Sequence, residues 1–263
     1  MHGAGNDFIL VDDRNETFPV SDNKWIEKIC ARKTGVGSEG LILIQPSKKA
    51  DFRMRFFNPD GGEVDMCGNG ARCSAKLALE IGAAGKKMTI ETAAGILPAE
   101  ALDDSIRVQM PEPAGWKMNN SLKVDTENIL YHFVNTGVPH AVVEVENINK
   151  CNVLKLGSGI RYHEAFQPAG TNADFITATG SHSLRVRTYE RGVEAETLAC
   201  GTGIVAAALV AARLGRVKPP VEITAMSGDV LTVNFKYIGE DVENVTLLGP
   251  AEHVFQGTME YPG

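Results

Sequence analysis

The stretch CGNGARCSAKLALEIG at 67–82 returns as CGTGIVAAALVAARLG at 200–215, displaced by 133 residues. No other feature constrains the fold as tightly. Upstream, FRMRFFN (52–58) matches LRVRTYE (184–190), and GNDFILV (5–11) matches GVPHAVV (137–143), both displaced by 132. Downstream, MTIETAAG (88–95) matches VEITAMSG (221–228), again at 133. Four blocks that keep one offset to within a residue identify an internal duplication. A unit of about half the chain is too long for a solenoid repeat. Two domains are therefore expected, 1–113 carrying Cys67 and 114–249 carrying Cys200. The two prolines of MPEPAGW (110–116) mark the boundary. The tail at 250–263 lies outside the repeat, and packing back on the first domain is the expectation for it.

Each half reads as strands, a Cys-Gly-x-Gly turn, a helix, and more strands. FRMRFF and LRVRTY alternate apolar residues with arginine, the period-2 pattern of strands with one wet face. The helix GIVAAALVAARL (203–214) has almost no polar face, so it should be buried all round. Its counterpart at 70–81 carries Arg72, Lys76 and Glu80, which predict a wet edge. The fold class that follows is α+β: two pseudo-symmetric domains, each a curled, mostly antiparallel sheet around a central helix.

Composition narrows the function. Of the 263 residues, 43% are hydrophobic and 22% charged, ordinary for a globular chain that can bury real cores. A net charge of −7 argues against nucleic acid or an anionic membrane as partner. The opening MHGAGNDFILVDDR has no basic, apolar signal-peptide pattern, and no run reads as a membrane span, so a cytoplasmic location is expected. Five cysteines, an odd number, then read as reduced thiols. Cys30, Cys73 and Cys151 sit in no motif and are expected in the core. Zinc is disfavoured because Cys67 and Cys73 have no matching ligand pair. GVGSEG (35–40) matches a dinucleotide fingerprint literally, but a helical stretch precedes it and a strand follows, the reverse of what that site needs.

Cys67 and Cys200 each sit at a helix N-terminus. Unpaired N–H groups and the helix dipole should lower the thiol pKa there. The flanking Gly68, Gly70, Gly201 and Gly203 leave backbone N–H groups open to an anion such as a carboxylate. Two equivalent thiols, one from each half and facing one cleft, would suit a two-base exchange at carbon, with one removing a proton and the other delivering one to the opposite face.

These residues closely resemble the diaminopimelate epimerase family. The resemblance covers nearly the whole chain through MHGAGNDFILVD, GVGSEGLILI, FFNPDGGEVDMCGNGAR, GVPHAV, GTNADFI and YERGVEAETLACGTG, in the family's order. It implies cofactor-independent, metal-free interconversion of LL- and meso-diaminopimelate, in lysine and peptidoglycan precursor synthesis, by a homodimer. It casts Cys67 and Cys200 as the acid and base pair, and His140 and Glu190 as residues that tune them. Backbone N–H groups of Gly68, Asn69, Gly201 and Thr202 would hold the α-carboxylate. Asn6, Asn58, Asn172, Glu190 and Arg191 would contact substrate, Arg191 by a bidentate grip on the distal carboxylate. The chain departs from the family where many members have Asn in place of Val138 and some have Gln in place of Gly40. Family members also usually begin with a short strand ahead of the MHG segment. A racemase for another small amino acid is the alternative that Val138 suggests. A silent binding protein on the same scaffold is a third reading, which would bind substrate without exchanging its α-proton.

Overall fold

In FRMRFF, alternation puts Phe52, Met54 and Phe56 on one side of a strand, where they are buried, and leaves Arg53 exposed. Strands of this kind build both halves of the chain. The computed structural model describes residues 1–239 and 241–262. It divides into one unit of Met1–Ile106 plus the residues from Pro250 on, and a second of Arg107–Gly249.

In the first unit, β1 (His2–Gly3) and β2 (Asn6–Asp7) form a short hairpin. Next come β3 (Ile9–Asp12), α1 (Asn23–Cys30), β4 (Leu41–Gln45), β5 (Phe52–Phe57) and β6 (Glu63–Val64). After them come α2 (Gly68–Glu80), β7 (Lys87–Thr92) and β8 (Gly95–Leu102), with β9 (Ser105–Gln109) at the division. The sheet runs β3-β4-β5-β7-β8, with β6 beside β5. The chain beyond Pro250 belongs here: Glu252 and His2 exchange backbone hydrogen bonds of 2.8 and 2.9 Å.

The second unit contains β10 (Ala114–Val124), β11 (Glu127–Asn135), β12 (Pro139–Glu144), α3 (Val153–Arg161) and β13 (Asn172–Gly180). It continues through β14 (Ser183–Glu190), β15 (Ala195–Thr197), α4 (Gly201–Arg213), β16 (Val221–Thr224), β17 (Val230–Ile238) and β18 (Asp241–Pro250). Its order is β10-β11-β12-β13-β14-β16-β17-β18, with β15 beside β14. In both units parallel and antiparallel strand pairs are mixed, with antiparallel pairs in the majority.

The repeat holds at the level of strand register. Ile9 pairs with Leu41 in the parallel pair β3–β4, and Ala141 with Ala173 in the parallel pair β12–β13, each shifted by 132. Leu41 opposes Phe57 as Ala173 opposes Tyr189. Phe57 opposes Glu63, whereas Tyr189 opposes Glu196, one residue later than a shift of 132. The single insertion that changes the offset to 133 thus falls between β14 and β15. Helices α2 and α4 then coincide end to end at that offset.

Each of these two helices packs against strands of its own unit, α2 against β1, β3, β4, β5, β7 and β8, and α4 against β11, β12, β13, β14, β16 and β17. Ile204 through Val210 have no exposed surface, as an apolar helix requires. The other face of each sheet carries a shorter helix. Trp25, Ile26 and Ile29 of α1 pack on Leu41, Leu43 and Phe57, while Val153 and Ile160 of α3 pack on Ala141, Ala173 and Phe175. Alternate residues of β4 and β13 therefore serve opposite helices. The wet edge expected on α2 is only partial. Lys76 and Glu80 reach the surface, but Arg72 is wholly buried. Its guanidinium donates to Pro250 O at 3.2 Å, Gly68 O at 3.4 Å and Asn69 Oδ1 at 3.0 Å, acceptors that make burial of the charge tolerable. No helix among the described residues is long and apolar enough to cross a membrane.

Candidate active site

Both cysteines are the N-cap residues of the paired helices, in extended backbone: Cys67 at φ −137°, ψ 121° and Cys200 at φ −112°, ψ 111°. The Gly70 N–H donates to Cys67 Sγ at 3.5 Å. The first helical bonds run from Ala71 to Cys67 and from Ile204 to Cys200. The N–H groups of Gly68 and Asn69, and of Gly201 and Thr202, lie ahead of them, where a helix receives anions.

The helix-terminus argument predicts a lowered thiol pKa, and for Cys200 the structure gives the reverse. Burial pushes this thiol well above its ordinary value, and the nearby Glu190 and Asp174 carboxylates push it further. The Thr202 hydroxyl and the Gly203 N–H pull the other way but do not win. Desolvation of a thiolate outweighs a half-charge at a helix end. Cys73, also buried, is pushed up to about 12 by desolvation, which disfavours its thiolate.

Around Cys200 a network of short hydrogen bonds converges. Its Sγ lies 3.5 Å from Thr202 Oγ1, which is 2.9 Å from His140 Nε2. His140 Nδ1 lies 2.7 Å from Asp174 Oδ2, both side chains fully buried. Thr188 Oγ1 donates to Asp174 Oδ1 at 2.7 Å, and Thr136 Oγ1 to the Thr202 carbonyl at 2.9 Å. Gly203 is needed here, because a Cβ at this position would collide with Asp174 Oδ1. Sequence reasoning singled out His140 and Thr202 but missed Asp174, Thr188 and Thr136. The available signal was period 2: Asp174 follows Asn172 by two residues on β13 and shares its face.

Asn172 Nδ2 lies 3.4 Å from His140 Nε2, and its Oδ1 accepts the Arg191 backbone N–H at 2.7 Å. Its amide is thus engaged inside the protein, beyond the substrate contact the family resemblance assigns to it. Arg191 Nη1 donates to Ala169 O at 2.8 Å. Glu190 Oε2 accepts the Thr197 hydroxyl at 3.0 Å. The loop between them and α4 is pinned twice, by Arg161 on Glu194 (3.0 Å) and by a two-pronged Arg187–Glu196 pair at 2.6 and 2.7 Å. In the first unit, Asn6 lies in β2 with its Oδ1 buried and accepting no hydrogen bond from the described residues. Asn58 opens the turn that closes at Gly62. A side chain at Gly40 would strike the Phe57 carbonyl at 2.6 Å, so this backbone has no room for glutamine.

A family model described as diaminopimelate epimerase matches residues 1–115 and 132–254. The diaminopimelate epimerase of Aquifex aeolicus (strain VF5) is 45% identical over 271 residues, spanning 98% of this chain and 96% of that protein. That of Chlorobaculum tepidum is 42% identical over 263 residues, spanning 98% and 99%. Among solved structures, a Bacillus anthracis phenazine biosynthesis protein of the PhzF family aligns with a TM-score of 0.72 at 18% identity, over 95% of this chain and 92% of that one. A hydroxyproline epimerase from Agrobacterium vitis aligns at 0.65 and 20%, over 89% and 79%. Identities this low speak to the fold alone.

Proposed function

The chain belongs to the diaminopimelate epimerase family, and from that membership we propose that it converts LL-2,6-diaminopimelate to the meso isomer by two-base proton transfer between Cys67 and Cys200. It is an isomerase. The observation that carries the two-base reading is the duplication itself: each unit supplies one cysteine, at the same cap position of the same helix. One sulfur, as thiolate, takes the α-proton, and the other, as thiol, delivers a proton to the opposite face, so the configuration inverts. The roles exchange in the reverse reaction.

An amino acid α-proton is a very weak acid, so the developing negative charge needs positioned stabilisation. The N–H groups at the starts of α2 and α4 would hold the α-carboxylate, and closure of a cleft between the domains would exclude water. Glu190 and His140 would adjust the thiols. Arg191 would grip the distal carboxylate, with Asn6, Asn58 and Asn172 completing recognition. The reaction would need no cofactor or metal. A cytoplasmic homodimer feeding lysine and peptidoglycan precursor synthesis is the setting we propose.

Incubating LL-diaminopimelate with reduced enzyme in D2O tests the proposal. Meso product with α-deuterium is expected from the wild type, and loss of epimerisation from Cys67→Ala and Cys200→Ala. Wild-type enzyme that exchanges nothing under reducing conditions would refute the substrate assignment. Parallel incubations with proline and glutamate distinguish a racemase of other amino acids.

A further inference from the structure

The duplication provides an internal control for the network around Cys200. Shifted by 132, positions 8, 42 and 56 of the first unit are positions 140, 174 and 188 of the second. The first set is Phe8, Ile42 and Phe56, all buried, with the two rings edge-on at 5.7 Å. The second is His140, Asp174 and Thr188, also buried. Ile42 and Asp174 both face the second glycine of their Cys-Gly-x-Gly loop, Gly70 and Gly203 respectively. The scaffold therefore accepts an apolar trio at this place. Burying a carboxylate and an imidazole there costs free energy that the apolar version avoids. Folding does not demand the polar trio.

Its hydrogen bonds determine where the imidazole proton lies. A carboxylate only accepts, so Asp174 Oδ2, 2.7 Å from Nδ1, requires Nδ1–H. The other ring nitrogen gives the same answer independently. The Arg191 backbone N–H can only donate, so the Asn172 atom it meets at 2.7 Å is the oxygen, and the NH2 end faces Nε2 at 3.4 Å. Nε2 is then the lone-pair nitrogen. The Thr202 hydroxyl donates to it at 2.9 Å and keeps its own lone pairs for the Cys200 thiol at 3.5 Å.

We infer that Asp174, with Asn172, is a positioning residue that holds His140 as its Nδ1–H tautomer, so that Nε2 draws the Cys200 proton through the Thr202 hydroxyl. The Sγ–H bond breaks as a new Thr202 O–H forms, while the original Thr202 O–H breaks as Nε2–H forms. The products are the Cys200 thiolate and an imidazolium that faces Asp174. This supplies a route to thiolate at a cysteine whose burial opposes it. The tautomer follows from hydrogen bonding alone. Only the final proton step rests on the two-cysteine reading proposed above.

Long-range proton–nitrogen correlation spectra of the whole protein, labelled with 15N-histidine, test it. The His140→Gln variant identifies the His140 signals. A protonated Nδ1 and an unprotonated Nε2 are expected. Wild-type protein with the proton on Nε2 overturns the inference, whatever any variant does. In Asp174→Asn the carboxamide can offer N–H to Nδ1, so the proton should move to Nε2. Turnover should then fall by at least about 10²-fold, toward the roughly 10⁴-fold loss met when a catalytic histidine loses its orienting carboxylate, with KM changed less than about threefold. Thr202→Val should lose turnover comparably and Thr202→Ser should keep it within a few-fold. An Asp174→Asn protein that keeps the Nδ1–H tautomer, or that changes tautomer at unchanged kcat, overturns the positioning role. Wild-type enzyme inactive on diaminopimelate refutes the substrate assignment instead, and the tautomer spectrum still decides this inference.

Discussion

Replacing Gly203 by alanine adds one methyl to α4 where the helix crosses Asp174. Intrinsic propensity favours the change by about 1 kcal/mol, since the site lies within a helix. The surroundings oppose it. The methyl would sit against Asp174 Oδ1 far inside contact distance and 3.2 Å from Thr188 Oγ1. Ordinary carbon contacts need about 3.5 Å, so the carboxylate must retreat by roughly 1 Å. Asp174 is held at both oxygens by bonds of 2.7 Å, to Thr188 and to His140. Such a shift breaks or weakens both, at about 1.5–3 kcal/mol each for bonds to a charged group. The net expectation is a loss of about 2–5 kcal/mol. Loosening the Asp174 hold on His140 should also lower kcat on the order of 10²-fold. Gly70→Ala is the matched control at the equivalent position. There the methyl meets Ile42 Cδ1 at 2.8 Å and Met54 Cε at 3.2 Å, the far ends of flexible side chains. Rotamer shifts should absorb it at about 1 kcal/mol, cancelling the propensity gain. Thermal unfolding and steady-state epimerisation of the two variants provide the comparison. Equal midpoints and equal turnover for Gly203→Ala and Gly70→Ala would refute the reasoning.

Arg72→Met should destabilise the protein by about 3 kcal/mol or more, because it leaves the buried carbonyls of Gly68 and Pro250 and the Asn69 side chain short of a donor. Urea unfolding at pH 7.5 measures this. Stability should decline with rising alkalinity. The Cys73 thiol is raised from an ordinary 9.0 to about 12, so the unfolded chain releases its proton first. That contribution is complete below pH 9 and is lost as pH climbs from 9 toward 12, by a few kcal/mol on the order-of-magnitude scale of about 1.4 per unit. Comparing unfolding midpoints of wild type and Cys73→Ala at pH 8 and 10.5 isolates it, since the variant should show the shallower decline. Arg161→Ala removes the Arg161 hold on Glu194 in the loop that follows Glu190 and Arg191. KM for diaminopimelate should rise several-fold with kcat changed less, as measured by initial rates, if the loop serves mainly to position Arg191.

Much of this protein is legible along the chain because its signals are local or repeat. The offset of 132–133 reveals the duplication before any strand is paired. Periods of two and 3.6 mark β5, β14 and α4, and the lack of a polar face on α4 already demands that it be buried. The cysteine caps are readable for the same reason, since a cap is defined by its immediate neighbours. Pairing and burial decided the rest. Arg72 looks like a surface residue on a helical wheel, and only the chain returning at Pro250 makes it a buried donor. Cys200 shares its local motif with Cys67, yet its thiol is raised because burial and carboxylates from β13 and β14 surround it, an electrostatic environment assembled from distant segments. Asp174 reads as one polar residue in an apolar strand. Its contact with His140, diagonal across the β12–β13 pair, exists only once those strands lie side by side in register, and the positions 132 residues earlier in the first unit hold Ile42 and Phe8. Local sequence determined the scaffold and its two thiols. The tertiary structure decided which copy carries the charged network, because buried electrostatics depends on what strand pairing brings within a few ångströms.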